Sequence, residues 1–164
     1  MEQAIGHESS TGHFVQKAIS TVLIVYVAFF FSSVVYLLIG FFLSRANWQP
    51  VITESFLADV LFALWIVISA VLIFLILRIK SKAFGEEMPS PQNLDQLQRY
   101  VVSRFVLLFA LSEVPAILGL VYFLLTGRFL YLVLFCVLSF LCFAVARPSR
   151  SKLMELPQRY GNLG

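Results

Sequence analysis

The stretch that decides the fold is RFVLLFALSEVPAILGLVYFLL, residues 104–125. It is almost entirely apolar, but it carries one acidic side chain, Glu113, followed two residues later by Pro115. A bilayer core ~30 Å thick is crossed by about 20 apolar residues in a helix, because each residue advances about 1.5 Å. The stretch is therefore predicted to be a membrane-spanning helix with one carboxyl group inside it.

The rest of the chain has the same character. Hydrophobic residues make up 60% of the 164 residues and charged residues 13%, and the mean hydropathy is +0.89. Soluble domains are nearer to half apolar and one quarter charged. Four spans are predicted, at 18–44, 55–78, 100–126 and 128–147. We expect a single all-α, polytopic membrane domain over 1–164, with the four helices arranged as two antiparallel hairpins.

The basic residues predict an orientation. If the N-terminus is cytoplasmic, ten of the 12 Lys and Arg residues lie on the inner side, and only Arg45 and Arg128 lie on the outer side. The positive-inside rule then places both termini, the loop 79–99 and the tail 148–164 in the cytoplasm, as in a bacterial inner-membrane protein. Five of the inner basic residues are expected to contact anionic lipid headgroups. They are Lys80, Lys82, Arg147, Arg150 and Lys152.

Counting residues places Glu113 deep in the membrane. It lies eight residues beyond Phe105, the expected inner boundary, which is ~12 Å along a helix and close to the midplane. The hydroxyl-bearing residues counted to the same depth on the other spans are Tyr26, Ser69 and Ser139. A buried carboxyl needs hydrogen-bond partners, so at least one of these three is expected to reach Glu113. The four residues form the predicted ion-binding set.

Glu113 and Pro115 have linked consequences. No Lys or Arg is expected near the carboxyl, and desolvation without a cation favours its neutral form. Pro115 cannot donate a backbone hydrogen bond, so a helix kink is predicted there, and Gly119 is expected to permit close helix approach. Two interpretations stay open, namely a structural interhelical contact and an exchangeable proton or ion site.

Several classes of site are not predicted. Cys136 and Cys142 lie about 240° apart in helical projection, which excludes a disulfide between them. Neither these thiols nor the two His residues of the polar N-terminal segment have metal-ligand spacing. The acidic residues Glu86, Glu87 and Asp95 are interpreted as part of a solvated loop. We therefore expect a non-enzymatic protein with no catalytic residue, metal, cofactor or nucleic-acid partner.

The segment ALSEVPAILGLVYFLL (110–125) resembles the carboxylate-bearing helix of the proteolipid, or c-type, rotor subunits of rotary ATPases, which typically reads A-L-x-E-x-x-A-I-x-G-L. Glu113 falls on that family's ion-carrying carboxylate. The matching residues around it are Ala110, Leu111, Ala116, Ile117, Gly119 and Leu120. The resemblance implies a carboxyl that binds H⁺ or Na⁺ within the membrane. It is local, because the family's partner helix is glycine-rich and Gly40 is the only glycine in the other three spans. A rotor subunit is not predicted.

The second half, RF…ALSEVPAILGLVYFLLTGR…ARPSR, also resembles a group of uncharacterised bacterial four-span membrane proteins. That resemblance implies the four-span fold and no particular activity. The sequence thus favours an accessory or structural subunit of a larger membrane complex, whose partners are the lipid bilayer and either other membrane subunits or further copies of itself. The alternative is a proton- or cation-translocating module in which Glu113 carries the ion.

Overall fold

A computed structural model describes residues 2–46, 48–83 and 94–147, without the side chains of residues 2–15, 18, 82, 83, 94, 95 and 97. The described chain forms four α-helices: α1 (Glu2–Arg45), α2 (Ser55–Ala83), α3 (Leu94–Thr126) and α4 (Phe129–Ala146). Each contains a segment long and apolar enough to cross a membrane. These segments are Ile19–Arg45, Ser55–Ser81, Gln98–Thr126 and Phe129–Ala146. The prediction of an all-α polytopic membrane protein is confirmed, while the cytoplasmic placement of its termini stays a prediction.

Three helices extend beyond the predicted spans, and one of them is α2, which ends at Ala83 rather than at residue 78. The sequence predicts a first span that starts at residue 18, but α1 is already helical from Glu2. Helix α3 begins at Leu94, six residues before the predicted start of its span. Hydropathy marks where a helix enters hydrocarbon, whereas a helix ends only where its backbone hydrogen bonding stops.

The α3–α4 hairpin forms the centre of the bundle. Helices α1 and α2 each pack against both α3 and α4, but they have almost no contact with each other. Half of the residues in the most apolar window of α3 are buried, compared with 11% in α1 and 17% in α2. Helices α1 and α2 therefore flank the hairpin on either side, and most of their apolar surface faces outward, as suits a lipid environment.

A tight turn joins α3 to α4. Gly127 has a φ of +70°, a conformation that glycine adopts without the steric cost of a Cβ. Its amide donates to the carbonyl of Phe123 at 2.7 Å, as in the common glycine cap of a helix C-terminus. The short connection TGR thus reverses the chain between α3 and α4.

The loop between α1 and α2 crosses over this turn. The indole of Trp48 donates to the carbonyl of Leu124 at 3.1 Å, and the amide of Ile52 donates to that of Leu125 at 2.8 Å. These two carbonyls belong to the last turn of α3, where no intrahelical donor is available. The loop therefore completes the hydrogen bonding at the end of α3.

Helices α3 and α4 approach closely at Gly119. A Cβ placed on Gly119 would lie 2.5 Å from the Cβ of Phe135 and 3.4 Å from the carbonyl oxygen of Leu132. Real Cβ atoms do not come this close to a neighbouring side chain. Gly119 therefore permits the close helix approach that the sequence predicts there.

Candidate functional site

The carboxyl of Glu113 lies between α3 and α1. Its residue is 9% exposed, and its Oε1 is hydrogen-bonded to the hydroxyl of Ser32 and to that of Tyr36, the latter at 2.7 Å. Ser32 and Tyr36 are four residues apart on α1 and so project from one face of that helix. The carboxyl therefore connects α1 to α3 in the middle of both membrane segments.

These partners differ from the three residues predicted by depth. Tyr26 packs instead against the ring of Phe109, with 5.4 Å between ring centroids, and Phe109 lies one helical turn before Glu113 on α3. Counting residues from the charged end of each span puts Tyr26 at the depth of Glu113. In the structure, packing displaces α1 relative to α3 by about one turn, ~6 Å, toward the N-terminal end of α1. Tyr26 is therefore not one of the hydroxyls that reach Glu113 in the described structure, and the residues that do, Ser32 and Tyr36, lie further along α1.

Ser139 belongs to a second polar contact beside the first. Its hydroxyl donates to the carbonyl of Ser112 at 2.7 Å, and the hydroxyl of Ser33 lies 3.3 Å from the hydroxyl oxygen of Ser139. All three serines are fully buried. A serine hydroxyl has one proton to donate, so Ser33 is the donor to Ser139. The described hydrogen bonds of Ser139 thus go to Ser112 and Ser33 rather than to Glu113, and they join α1, α3 and α4.

Ser69 is the third predicted partner. It is 1% exposed, and its hydroxyl oxygen has no hydrogen-bond partner among the described residues. An unpaired buried hydroxyl costs roughly 1–3 kcal/mol. The described structure thus buries Ser69 on the inner face of α2 without a hydrogen bond to Glu113. The predicted ion-binding role of Ser69, Tyr26 and Ser139 stays a prediction.

Helix α3 continues through Pro115. It is helical from Leu94 to Thr126 with the proline inside it, although the carbonyl of Leu111 loses the amide donor that another residue would supply. One turn before, the hydroxyl of Ser112 donates back to the carbonyl of Leu108 at 2.8 Å, a side-chain bond that often accompanies helix bending. The kink predicted at Pro115 stays a prediction.

Among the described residues, no salt bridge reaches Glu113. The ion pair that the structure does describe joins Arg128 to Asp59 at 2.9 Å, and the hydrogen bond that Arg128 donates to the Asp59 carboxylate raises the pKa of Arg128. Arg128 follows α3 fifteen residues after Glu113, which corresponds to ~22 Å along a helix. This exposed pair links α2 to the hairpin turn, and the described partners of Glu113 are hydroxyl groups alone.

Among the side chains that the structure describes, which do not include those of residues 2–15, no group of three or more His, Cys, Asp or Glu could hold a metal ion. Cys136 and Cys142 are both buried and free. The exclusion of a disulfide between them is confirmed.

The predicted headgroup contacts fall only partly within the described chain. The ammonium of Lys80 donates to the carbonyl of Val145 in the last turn of α4, where a cation also stabilises the helix dipole. Arg147 is exposed just after α4. Arg150, Lys152 and the rest of the tail 148–164 lie outside the described residues, as does the side chain of Lys82. Lipid contacts of all five stay a prediction.

The sequence alone did not identify four residues that form the polar contacts of Glu113 and Ser139. These are Ser32, Ser33, Tyr36 and Ser112. A signal for the first three is present, because SSVVY (32–36) is the one stretch of the first span with three hydroxyl groups in five residues. The spacing of four between Ser32 and Tyr36 would have placed both on one helix face.

Comparisons with protein-family models, curated proteins and solved structures find no match to this chain.

Proposed function

We propose that this chain is a small, non-enzymatic integral membrane protein that serves as an accessory or structural subunit of a larger membrane complex. The observation that carries the proposal is the contact of the Glu113 carboxyl with Ser32 and Tyr36. Each partner is a hydroxyl on a neighbouring helix, which is the usual form of a polar interhelical contact in membranes. The carboxyl thereby fixes how α1 sits against the hairpin.

The outward surfaces of α1 and α2 support a role in assembly. They present large apolar side chains through their membrane segments, among them Phe31 at 62% and Phe42 at 66% exposed on α1, and Phe56 at 74% and Phe74 at 61% on α2. Such surfaces suit lipid and equally suit the helices of a second membrane protein, because packing in a bilayer does not depend on hiding apolar groups from water. Other subunits or further copies of this chain are the proposed partners, in a bacterial inner membrane.

Purification of the tagged protein from its native membrane in a mild detergent tests this proposal. We expect stoichiometric membrane partners or a defined homo-oligomer, identified by mass spectrometry and by size. The Glu113→Leu variant is expected to lose them, while Glu54→Gln, which changes an exposed carboxylate outside the spans, retains them. Recovery of the wild-type chain as a monomer without partners would overturn the proposal.

Ion translocation is the second candidate, and one observation favours it. Both described hydrogen bonds of Glu113 go to Oε1, and none of the bonds described for this residue reaches Oε2. An intramembrane carboxyl with an unengaged oxygen can exchange a proton or bind a cation when water reaches it.

Flux measurements decide between the two candidates. Proteoliposomes with an imposed pH gradient and an internal pH-sensitive dye would show a proton leak that Glu113→Gln abolishes and Glu54→Gln leaves intact. If the wild-type protein dissipates the gradient no faster than empty liposomes, and no faster with Na⁺ present, translocation by this chain alone is excluded.

A further inference from the structure

Around Glu113, the contacts between hydrogen-bonding oxygen atoms outnumber the hydroxyl protons that could lie between them. The hydroxyl of Ser32 is 2.7 Å from the carbonyl oxygen of Phe29 and is also bonded to Oε1 of Glu113. Tyr36 makes the third contact, with its hydroxyl 2.7 Å from the same Oε1. Ser32 and Tyr36 supply one proton each, so two hydroxyl protons serve three contacts.

An ionised carboxylate leaves this set one proton short. If Ser32 donates to Oε1, its oxygen and the Phe29 carbonyl oxygen face each other without a proton between them. If Ser32 donates to Phe29, the same conflict arises between Ser32 and Oε1. In either case two electron-rich oxygens are in contact inside the bundle, where little solvent screens them.

A proton on the carboxyl resolves the conflict in only one way. Because a carbonyl can only accept, Ser32 must donate to Phe29 and must therefore accept from Glu113. The proton of Tyr36 then goes to Oε1. From these directions we infer that Glu113 carries a proton on Oε1 and donates it to Ser32, in a one-way chain from Tyr36 through Glu113 and Ser32 to the Phe29 carbonyl.

This inference deepens the proposed role of Glu113 as the contact between α1 and α3, and it rests on that role. It identifies the resident ion of the site as H⁺, because a metal cation on Oε1 would displace the proton that Ser32 accepts. Tyr36 is the only titratable side chain that the described hydrogen bonds place on Glu113. No described salt bridge from any helix offers a charge that would favour ionisation.

Infrared spectroscopy of the full-length protein in lipid at neutral pH tests the inference. We expect the carbonyl stretching band of a protonated carboxylic acid, shifted to lower frequency in D₂O and absent from Glu113→Gln. Ser32→Ala removes the acceptor, so it should shift this band to higher frequency. Ser20→Ala should not, because Ser20 is an exposed serine of the same helix bonded to the Lys17 carbonyl.

Three results would overturn it. The first is a wild-type spectrum with carboxylate bands alone. The second is a protonated band that Ser32→Ala does not move, and the third is a band that disappears when Na⁺ replaces a large organic cation at constant pH. If Glu113→Gln does not fold, ¹³C-labelled glutamate identifies the band in the other variants. The co-purification experiment tests the subunit role independently, because a protonated Glu113 is compatible with a protein that has no partner.

Discussion

The substitution Gly119→Ala is expected to force α3 and α4 apart. The added Cβ would lie 2.5 Å from the Cβ of Phe135, whereas ordinary contacts of this kind are 3.4–4 Å. Both atoms are attached directly to backbone, so no side-chain rotation relieves the overlap. The two helices must separate by about 1 Å at this level, and interiors packed at crystal density do not accommodate that freely.

A matched substitution calibrates the size of the effect. In Gly40→Ala the added Cβ would meet Cδ2 of Leu132 at 2.1 Å, but that atom is the far end of a side chain that can change rotamer. Both variants gain the same helix preference of alanine over glycine, about 1 kcal/mol. The difference between their free energies of unfolding therefore reports the steric overlap with the Cβ of Phe135. Overpacking costs about 1–3 kcal/mol, and we expect Gly119→Ala to be less stable than Gly40→Ala by that amount.

Unfolding by SDS in mixed micelles, followed by far-UV circular dichroism, measures this difference. Tryptophan fluorescence gives a second probe of the same transition, because Trp65 is buried against Tyr122 with ring centroids 5.6 Å apart. Equal stabilities for the two alanine variants would refute the close backbone contact. A less stable Gly40→Ala would mean that Leu132 is the more rigid neighbour.

Three further substitutions or reactions have expected outcomes. A double-mutant cycle with Glu113→Leu and Tyr36→Phe should give a coupling of about 0.6 kcal/mol, and at most about 1.7, as for other hydrogen bonds between membrane helices; additive effects would contradict the contact. Asp59→Asn should barely change the unfolding midpoint, because its ion pair is exposed and is screened by salt, and a large loss that persists in high salt would be inconsistent with this. Cys136 and Cys142 are buried and should react with a maleimide only after unfolding, so rapid labelling of the folded protein would place them elsewhere.

The fold was predictable from the sequence because the bilayer dictates it. A membrane span must satisfy its own backbone hydrogen bonds, so a long apolar run has little alternative to a helix. The predicted fourth span, 128–147, differs from α4 by one residue at each end. In the sequence, Gly127 stands directly before this span and Pro148 directly after it, and both residue types are common next to helix ends.

The partners of Glu113 were not predictable by the same reasoning. Hydropathy fixes the position of a helix along the membrane normal to within about one turn. It does not fix the register between two helices. The choice between Tyr26 and the pair Ser32–Tyr36 depends on that register, which side-chain packing sets. Tyr26 is held by Phe109 on α3 and Phe143 on α4, and this contact brings Ser32 to the level of Glu113.

The separation of α1 from α2 also has a consequence for biogenesis. These helices are synthesised before the hairpin that lies between them, and they have almost no contact with each other. When α1 first enters the bilayer, the hydroxyls of Ser33 and Tyr36 therefore lack the acceptors that α3 and α4 later supply. Because polar groups without partners are costly in hydrocarbon, the nascent first half is an incomplete intermediate. The hydrogen bonds of Ser33 and Tyr36 to other helices are therefore complete only once the α3–α4 hairpin is in place.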